Sequence, residues 1–229
     1  MPVLLTPAWT LDGTVATGRG AEASLDLTAP KAGLTVASSD ATDELLGLDL
    51  RGPATGPSDA WIRGADLTAI YEPDDPRRLR ATAMWRAVTD GLRAWELVVS
   101  AQTSVLHADA ALAVVSHVSC VEPRWLGADG GWRPVRDSGP LPAAATAVLA
   151  YRAETAVLVA VHPQDPRRIA VDLGRGRARV ECGIFPAALE KGVILRSRVL
   201  AAVGSAAMAE SWAAARQAAF AAAPPFLDT

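Results

Sequence analysis

Across the first two hundred residues, apolar and polar positions alternate in short runs broken by Gly, Pro and Asp. A period of two sends successive side chains to opposite faces of a strand, so the pattern predicts strands rather than helices. The runs are Pro2 to Trp9, Ala21 to Leu27, Leu34 to Ala37, Glu44 to Leu50, Ala60 to Arg63, Asp66 to Tyr71 and Leu79 to Val88. They continue with Leu92 to Ser104, Leu112 to Val118, Thr146 to Arg152, Ala156 to His162, Ile169 to Leu173, Arg177 to Gly183 and Gly192 to Val203. No helical periodicity separates them, as a doubly wound α/β fold would require. The expectation is a mainly β protein, an antiparallel β-sandwich over residues 1–229 as one domain.

Turn chemistry refines this picture. Asp129-Gly130 lies between Trp125 and Trp132, and a hairpin there would bring the two indoles together on adjacent strands. Asp90-Gly91 separates two of the strongest strand patterns in the same way. Asp75-Pro76-Arg77-Arg78-Leu79 recurs as Asp165-Pro166-Arg167-Arg168-Ile169, each time between strands. This is either a duplicated sheet unit or two loops opened by Asp-Pro turns. One helix is predicted, from about Ser205 to Ala222. Ser205 would cap it, Met208, Trp212, Ala215 and Ala219 would form its packing stripe, and Pro224-Pro225 would end it.

Composition narrows the class. Half of the residues are apolar and 21% are charged, enough to bury a large core. Net charge is -3 with the two signs interleaved, so no basic footprint for nucleic acid is present. The first residues lack the basic and apolar regions of a secretory signal, and no apolar run reaches the ~18 residues of a membrane span. No membrane association is expected, and the cytoplasm is the expected location. Cys120 and Cys182 are too few and too far apart for a metal knuckle and read as two buried thiols, with a disulfide between them as the alternative.

The standard catalytic and nucleotide-binding signatures are missing, and Gly174-Arg175-Gly176 reads as a turn between strands. His107 falls in a loop pattern, His117 in a strand and His162 at a strand end. No two of them share a strand face, so no metal or cofactor is expected. More suggestive are strands with several polar groups on one face. Alternation places Glu190, Ile194, Arg196 and Arg198 together, Glu96, Ser100 and Gln102 together, and Arg80, Met84 and Arg86 together. Such faces could form a groove for a polyhydroxylated ligand, with Trp61 or Trp85 as a stacking surface. The alternative is a solvated face whose charges pair across strands, each pair adding at most about 1 kcal/mol.

Several of these segments resemble an uncharacterised bacterial family. They are Arg51-Gly52-Pro53, Asp59 to Leu67, Met84-Trp85-Arg86, Glu96 to Ser104 and Leu189 to Ile194. That family is similar to the β-supersandwich proteins typified by galactose mutarotase, in which a broad concave sheet binds sugars. The resemblance implies a supersandwich fold and a sugar ligand, not an activity, because the histidine motifs of mutarotases are absent. Were the chain catalytic, Glu190 would be the base and His107 the acid, with Arg63, Trp85, Arg86, Gln102, Arg196 and Arg198 contacting the ligand. The competing expectation is a non-catalytic structural or interaction domain, a homo-oligomer docked through its apolar C-terminal helix.

Overall fold

The computed structural model describes residues 8–19, 22–52, 56–88, 92–165, 167–185 and 188–224. Within them the chain opens with β1 (Trp9–Asp12), β2 (Val15–Gly18), β3 (Ala23–Asp26), β4 (Leu34–Ala37) and β5 (Thr42–Asp49). It continues with β6 (Asp59–Arg63), β7 (Asp66–Tyr71), β8 (Leu79–Val88), β9 (Arg93–Thr103) and β10 (His107–Asp109). Next come β11 (Leu112–Ser119), β12 (Glu122–Leu126), β13 (Trp132–Pro134), β14 (Gly139–Pro140) and β15 (Ala147–Tyr151). Last are β16 (Thr155–Val161), β17 (Arg167–Gly174), β18 (Arg177–Ile184), β19 (Ala188–Glu190), β20 (Leu195–Ser205) and α1 (Ala209–Ala222).

These strands form two nine-stranded antiparallel sheets and a two-stranded ribbon. The first sheet runs β1-β2-β3-β4-β5-β11-β18-β17-β14, and the second β13-β12-β15-β16-β20-β9-β8-β7-β6. The ribbon pairs β10 with β19. Alternation explains the packing. Odd-numbered residues of β7, β8, β9, β16 and β20, such as Leu67, Trp85, Leu97, Val159 and Ala201, point inward and join one core with the first sheet. Each such large side chain contributes roughly 1.5–3 kcal/mol on burial. The architecture is the mainly β sandwich with one C-terminal helix that the pattern predicts.

A smaller apolar cluster lies on the outer face of the second sheet. Leu126, Ala147, Leu149, Leu158, Ala160, Leu200 and Ala202 meet Ala209, Ala213 and Phe220 of α1 there. The helix begins later than expected because Ser205 ends β20, and Met208 turns the chain with φ 59°. The buried stripe is accordingly Ala209, Ala213 and Phe220, while Met208 is exposed. Trp212 lies flat on Gly204, where an added Cβ would come within 2.7 Å of the indole. The helix thus packs its buried stripe on its own sheet. Among the described residues no helix is long and apolar enough to cross a membrane.

Several expectations change in the structure. The start of the Pro2–Trp9 run and the Asp90-Gly91 turn lie outside the described residues. β12 and β13 form the predicted hairpin, but Leu126 pairs with Trp132 and Trp125 with Arg133. The stagger of one residue sends the two indoles to opposite faces. Arg133 stacks on Trp125 at 5.2 Å, while Trp132 packs on the outer apolar cluster. The Asp-Pro-Arg-Arg repeat is not a duplicated unit: β7 and β8 are neighbours in one sheet, whereas β16 and β17 belong to different sheets. Cys120 and Cys182 are buried free thiols, each pushed up by burial, to about 11 and about 12.

A polar link joins the two sheets. Asp43 of β5 is fully buried; its carboxylate accepts from Ser119 N at 2.9 Å and from Arg152 Nη1, at the end of β15, at 2.7 Å. Arg152 Nε also donates to Thr155 Oγ1 at 2.9 Å. Truncating Asp43 strips Ser119 N of its acceptor and leaves Arg152 with Asp40 alone, 3.5 Å from its Nε, at a cost of up to about 3–5 kcal/mol. Asp43→Ala should therefore lower unfolding free energy in urea by that amount. A change below 1 kcal/mol would show that the link carries no such weight.

Candidate ligand-binding face

The outer face of the second sheet changes character along a single row of paired residues. Arg63, Asp66, Arg86 and Glu96 lie side by side across β6, β7, β8 and β9. The same row continues as Leu200, Ala160, Ala147 and Leu126 across β20, β16, β15 and β12. Helix α1 packs on β15, β16 and β20, over the apolar half. The charged half lies beyond it. The next rows along the strands hold Trp61, Thr68, Met84, Val98 and Arg198, then Asp59, Ile70, Thr82, Ser100 and Arg196, then Arg80 and Gln102.

Within this half Arg86, Arg196, Arg80 and Arg198 each meet an acceptor. Asp66 takes Arg86 as a fork, with Nε at 2.5 Å and Nη2 at 2.7 Å. Arg196 Nε donates to Ser100 Oγ at 3.2 Å, and Arg80 Nε lies 3.2 Å from Glu72. Arg198 is almost wholly buried at the seam. Its guanidinium donates to Pro224 O at 2.9 Å and Ala223 O at 3.2 Å and lies 5.5 Å from the centre of the Phe220 ring. Its backbone N–H donates to Asp165 Oδ2 at 2.7 Å, and Ser197 Oγ reaches the same oxygen at 3.2 Å. His162 meets the edge of Phe220 at 5.4 Å, with its Nδ1 accepting from Gln164 N at 3.4 Å.

Glu96 stands at the centre of the charge cluster. Its side chain is 12% exposed, and Oε1 lies 3.8 Å from Arg198 Nη1, beyond hydrogen-bond reach. Burial raises its pKa above the ordinary value of 4.5, although Arg198 and Arg86 pull it down. It is a sheltered carboxyl that holds its proton more tightly than an exposed one.

The sheet brings together five of the sequence-predicted residues: Arg63, Arg86, Gln102, Arg196 and Arg198 share this face. Trp85 must be withdrawn from the set. It is an inward residue with no exposed surface, and its indole N–H donates to Leu46 O at 3.0 Å. Leu46 sits at an irregularity in the β5–β11 pairing with φ 57°, and Ser116 Oγ accepts from its N–H at 3.1 Å. Trp85 is therefore a tie between the sheets. Glu190 does not share a strand with Arg196, because residues 191–194 turn between β19 and β20. It lies on the ribbon, directly opposite His107, and both are exposed. His107 is thus in a short strand rather than a loop.

Gln102 and Arg80 line a cleft of about 790 Å³ with Glu72, Arg78 and Ser104. Gln102 is six residues along β9 from Glu96, roughly 20 Å. The open volume and the sheltered carboxyl are thus at opposite ends of the face. Among the described residues no group of three His, Cys, Asp or Glu side chains is placed to hold a metal ion. Asp66, which orients Arg86, was not singled out from the sequence. The Gly64-Ala65 turn fixes its position opposite Arg63, and that register was the available signal.

No protein-family model and no curated protein matches the chain. Among solved structures it is similar to an Escherichia coli K12 protein described as a putative aldose 1-epimerase, at 9% identity and a TM-score of 0.48. The match covers 62% of this chain and 66% of that one, just under two thirds of its length. Similarity of this degree transfers no residue role or activity.

The raised pKa of Glu96 has a measurable consequence. A carboxyl that binds its proton more tightly when folded stabilises the fold most below its ordinary pKa of 4.5. That contribution is lost as pH rises through the folded value. The stability difference between wild type and Glu96→Gln should therefore shift in favour of the variant as pH rises from the acid range towards neutrality. Parallel stability profiles in urea would contradict the placement of Glu96.

Proposed function

We propose that the charged half of the second sheet's outer face binds a polyhydroxylated ligand of the carbohydrate class. The observation that supports this reading is the array of pre-oriented guanidinium groups in successive rows of one sheet. Arg86 is fixed by Asp66 and Arg196 by Ser100, with Thr82 and Gln102 beside them and Trp61 at the margin. Vicinal hydroxyls accept from guanidinium N–H groups and donate to carboxylates, and fixed side chains lose little entropy when they engage. The row separation also suits a ligand longer than one ring.

Binding alone accounts for the arrangement. Catalysis would add a proton transfer, for which two carboxyls are the candidates: Glu190, opposite His107 on the ribbon, and Glu96 in the sheet. Polarimetry on any sugar that binds separates the two. Loss of turnover in Glu190→Gln would assign the base to the ribbon, and loss in Glu96→Gln would assign it to the sheet. Binding with no change in optical rotation identifies a non-catalytic binding domain.

Calorimetry against a panel of mono- and oligosaccharides tests the reading first. A ligand is expected to bind, and Arg196→Ala should weaken it about tenfold or more, the loss of a charge-assisted hydrogen bond worth about 1.5–3 kcal/mol. Absence of binding by every sugar at millimolar concentration would overturn the proposal.

A further inference from the structure

The adjacent arginines of the first Asp-Pro-Arg-Arg run, Arg77 and Arg78, take opposite roles. Arg77 is half-buried and belongs to the fold. Asp75 Oδ2 accepts from its Nε at 3.1 Å and its Nη2 at 2.8 Å, and Asp75 Oδ1 accepts from its backbone N–H at 2.8 Å. The same guanidinium donates to Leu50 O at 2.5 Å and to Ala111 O at 3.2 Å, which ties the loop before β8 to the end of β5 and the start of β11. Arg78 N donates to Asp75 O at 3.1 Å, and Thr103 Oγ1 donates to Arg77 O at 2.8 Å. These bonds hold Arg78 at φ 45°, a region that non-glycine residues seldom occupy. Its exposed side chain lines the cleft of about 790 Å³ at the end of β8 and β9.

The polar groups of the cleft divide in the same way. Glu72 is paired with Arg80 at 3.2 Å and Asp75 with Arg77 at 2.8 Å. Among the described residues, the side chains of Arg78, Gln102, Ser104 and Asp74 have no hydrogen-bond or ion-pair partner. Leu79 pairs with Thr103, so Arg78 and Ser104 flank the last rung of the β8–β9 ladder. Gln102 lies two residues back from Ser104, roughly 7 Å along the strand, which one sugar ring and its exocyclic group can bridge. A guanidinium without a counter-ion, beside an amide and a hydroxyl, is a donor set for an anion. Asp74 limits that anion to a single negative charge, because its own carboxylate repels a dianion in the same cleft. It also accepts from a hydroxyl. We infer that the cleft binds the carboxylate of a sugar acid, held by Arg78, Gln102 and Ser104, with Asp74 accepting from a ring hydroxyl. The inference rests on the sugar reading above and narrows its ligand class. The rest of the ring would face Ser100 and Arg196, in the row next to Gln102.

Calorimetry of the full chain with glucuronate and galacturonate, beside glucose, galactose and their 6-phosphates, tests this. The uronates should bind about tenfold or more tighter than the parent hexoses, and tighter than the phosphates. Arg78→Gln should remove that advantage and leave hexose binding unchanged. It should also keep the circular dichroism and melting temperature, because the side chain supports no other described residue. Asp74→Asn should narrow the gap between uronates and hexose 6-phosphates by lifting the repulsion of the dianion. In the unaltered protein, sodium chloride should weaken uronate binding and spare hexose binding, a readout that needs no variant. Hexoses that bind as tightly as uronates, or a uronate preference indifferent to Arg78→Gln or to salt, overturn the inference and leave the wider sugar reading standing. A preference for the 6-phosphates overturns the assignment to a carboxylate. Absence of binding by every compound in the set overturns both.

Discussion

The buried guanidinium of Arg198 is the point on which the second sheet's outer face depends. On one side of it lie Leu200, Ala202 and the helix; on the other lie Glu96, Ser100 and Arg196. A cation at such a seam requires acceptors, and the C-terminal end of α1 supplies them in the carbonyls of Ala223 and Pro224. The helix dipole also favours a positive charge there. Phe220 covers the group, and Asp165 fixes the backbone of β20 at the same residue. The helix is thereby held over the apolar half of the sheet's outer face.

That division makes one sheet serve two purposes. Its inner face is apolar from β16 to β7 and closes the core against the first sheet, with Trp85 reaching across to the backbone of Leu46. Its outer face is split between a second, helix-covered core and a charged surface. Glu96 belongs to the charged surface but lies at the boundary, and so feels both the low dielectric beneath the helix and the two neighbouring arginines. A sheltered carboxyl beside fixed guanidinium groups is a chemical environment that neither half of the face would create alone.

Alternation made the polar faces of individual strands readable in the sequence. Glu96, Ser100 and Gln102 were placed together correctly, as were Arg80 with Arg86 and Arg196 with Arg198. The order of strands in the sheet was not readable, since it depends on pairings between residues up to about a hundred positions apart, such as Arg196 with Ser100. Periodicity could not distinguish the core face from the open face for Trp85, an aromatic residue suited to either. Glu190 was misplaced because alternation was extended across Gly192, where the chain turns. The helix boundary failed for a related reason: Ser205 has the chemistry of a cap, yet the pairing of β16 with β20 carries the strand through it.

We propose that the charged half of the outer face is where a ligand sits. Arginine side-chain resonances report on it directly, through a titration of isotopically labelled protein with the sugar panel followed by NMR. The expected result is saturable movement of the Arg86 and Arg196 Nε–H signals and of the Ser100 and Gln102 amides, with the inward-facing Val99 and Val159 unmoved. Saturable shifts confined to the first sheet, with the outer-face signals unchanged, would contradict it.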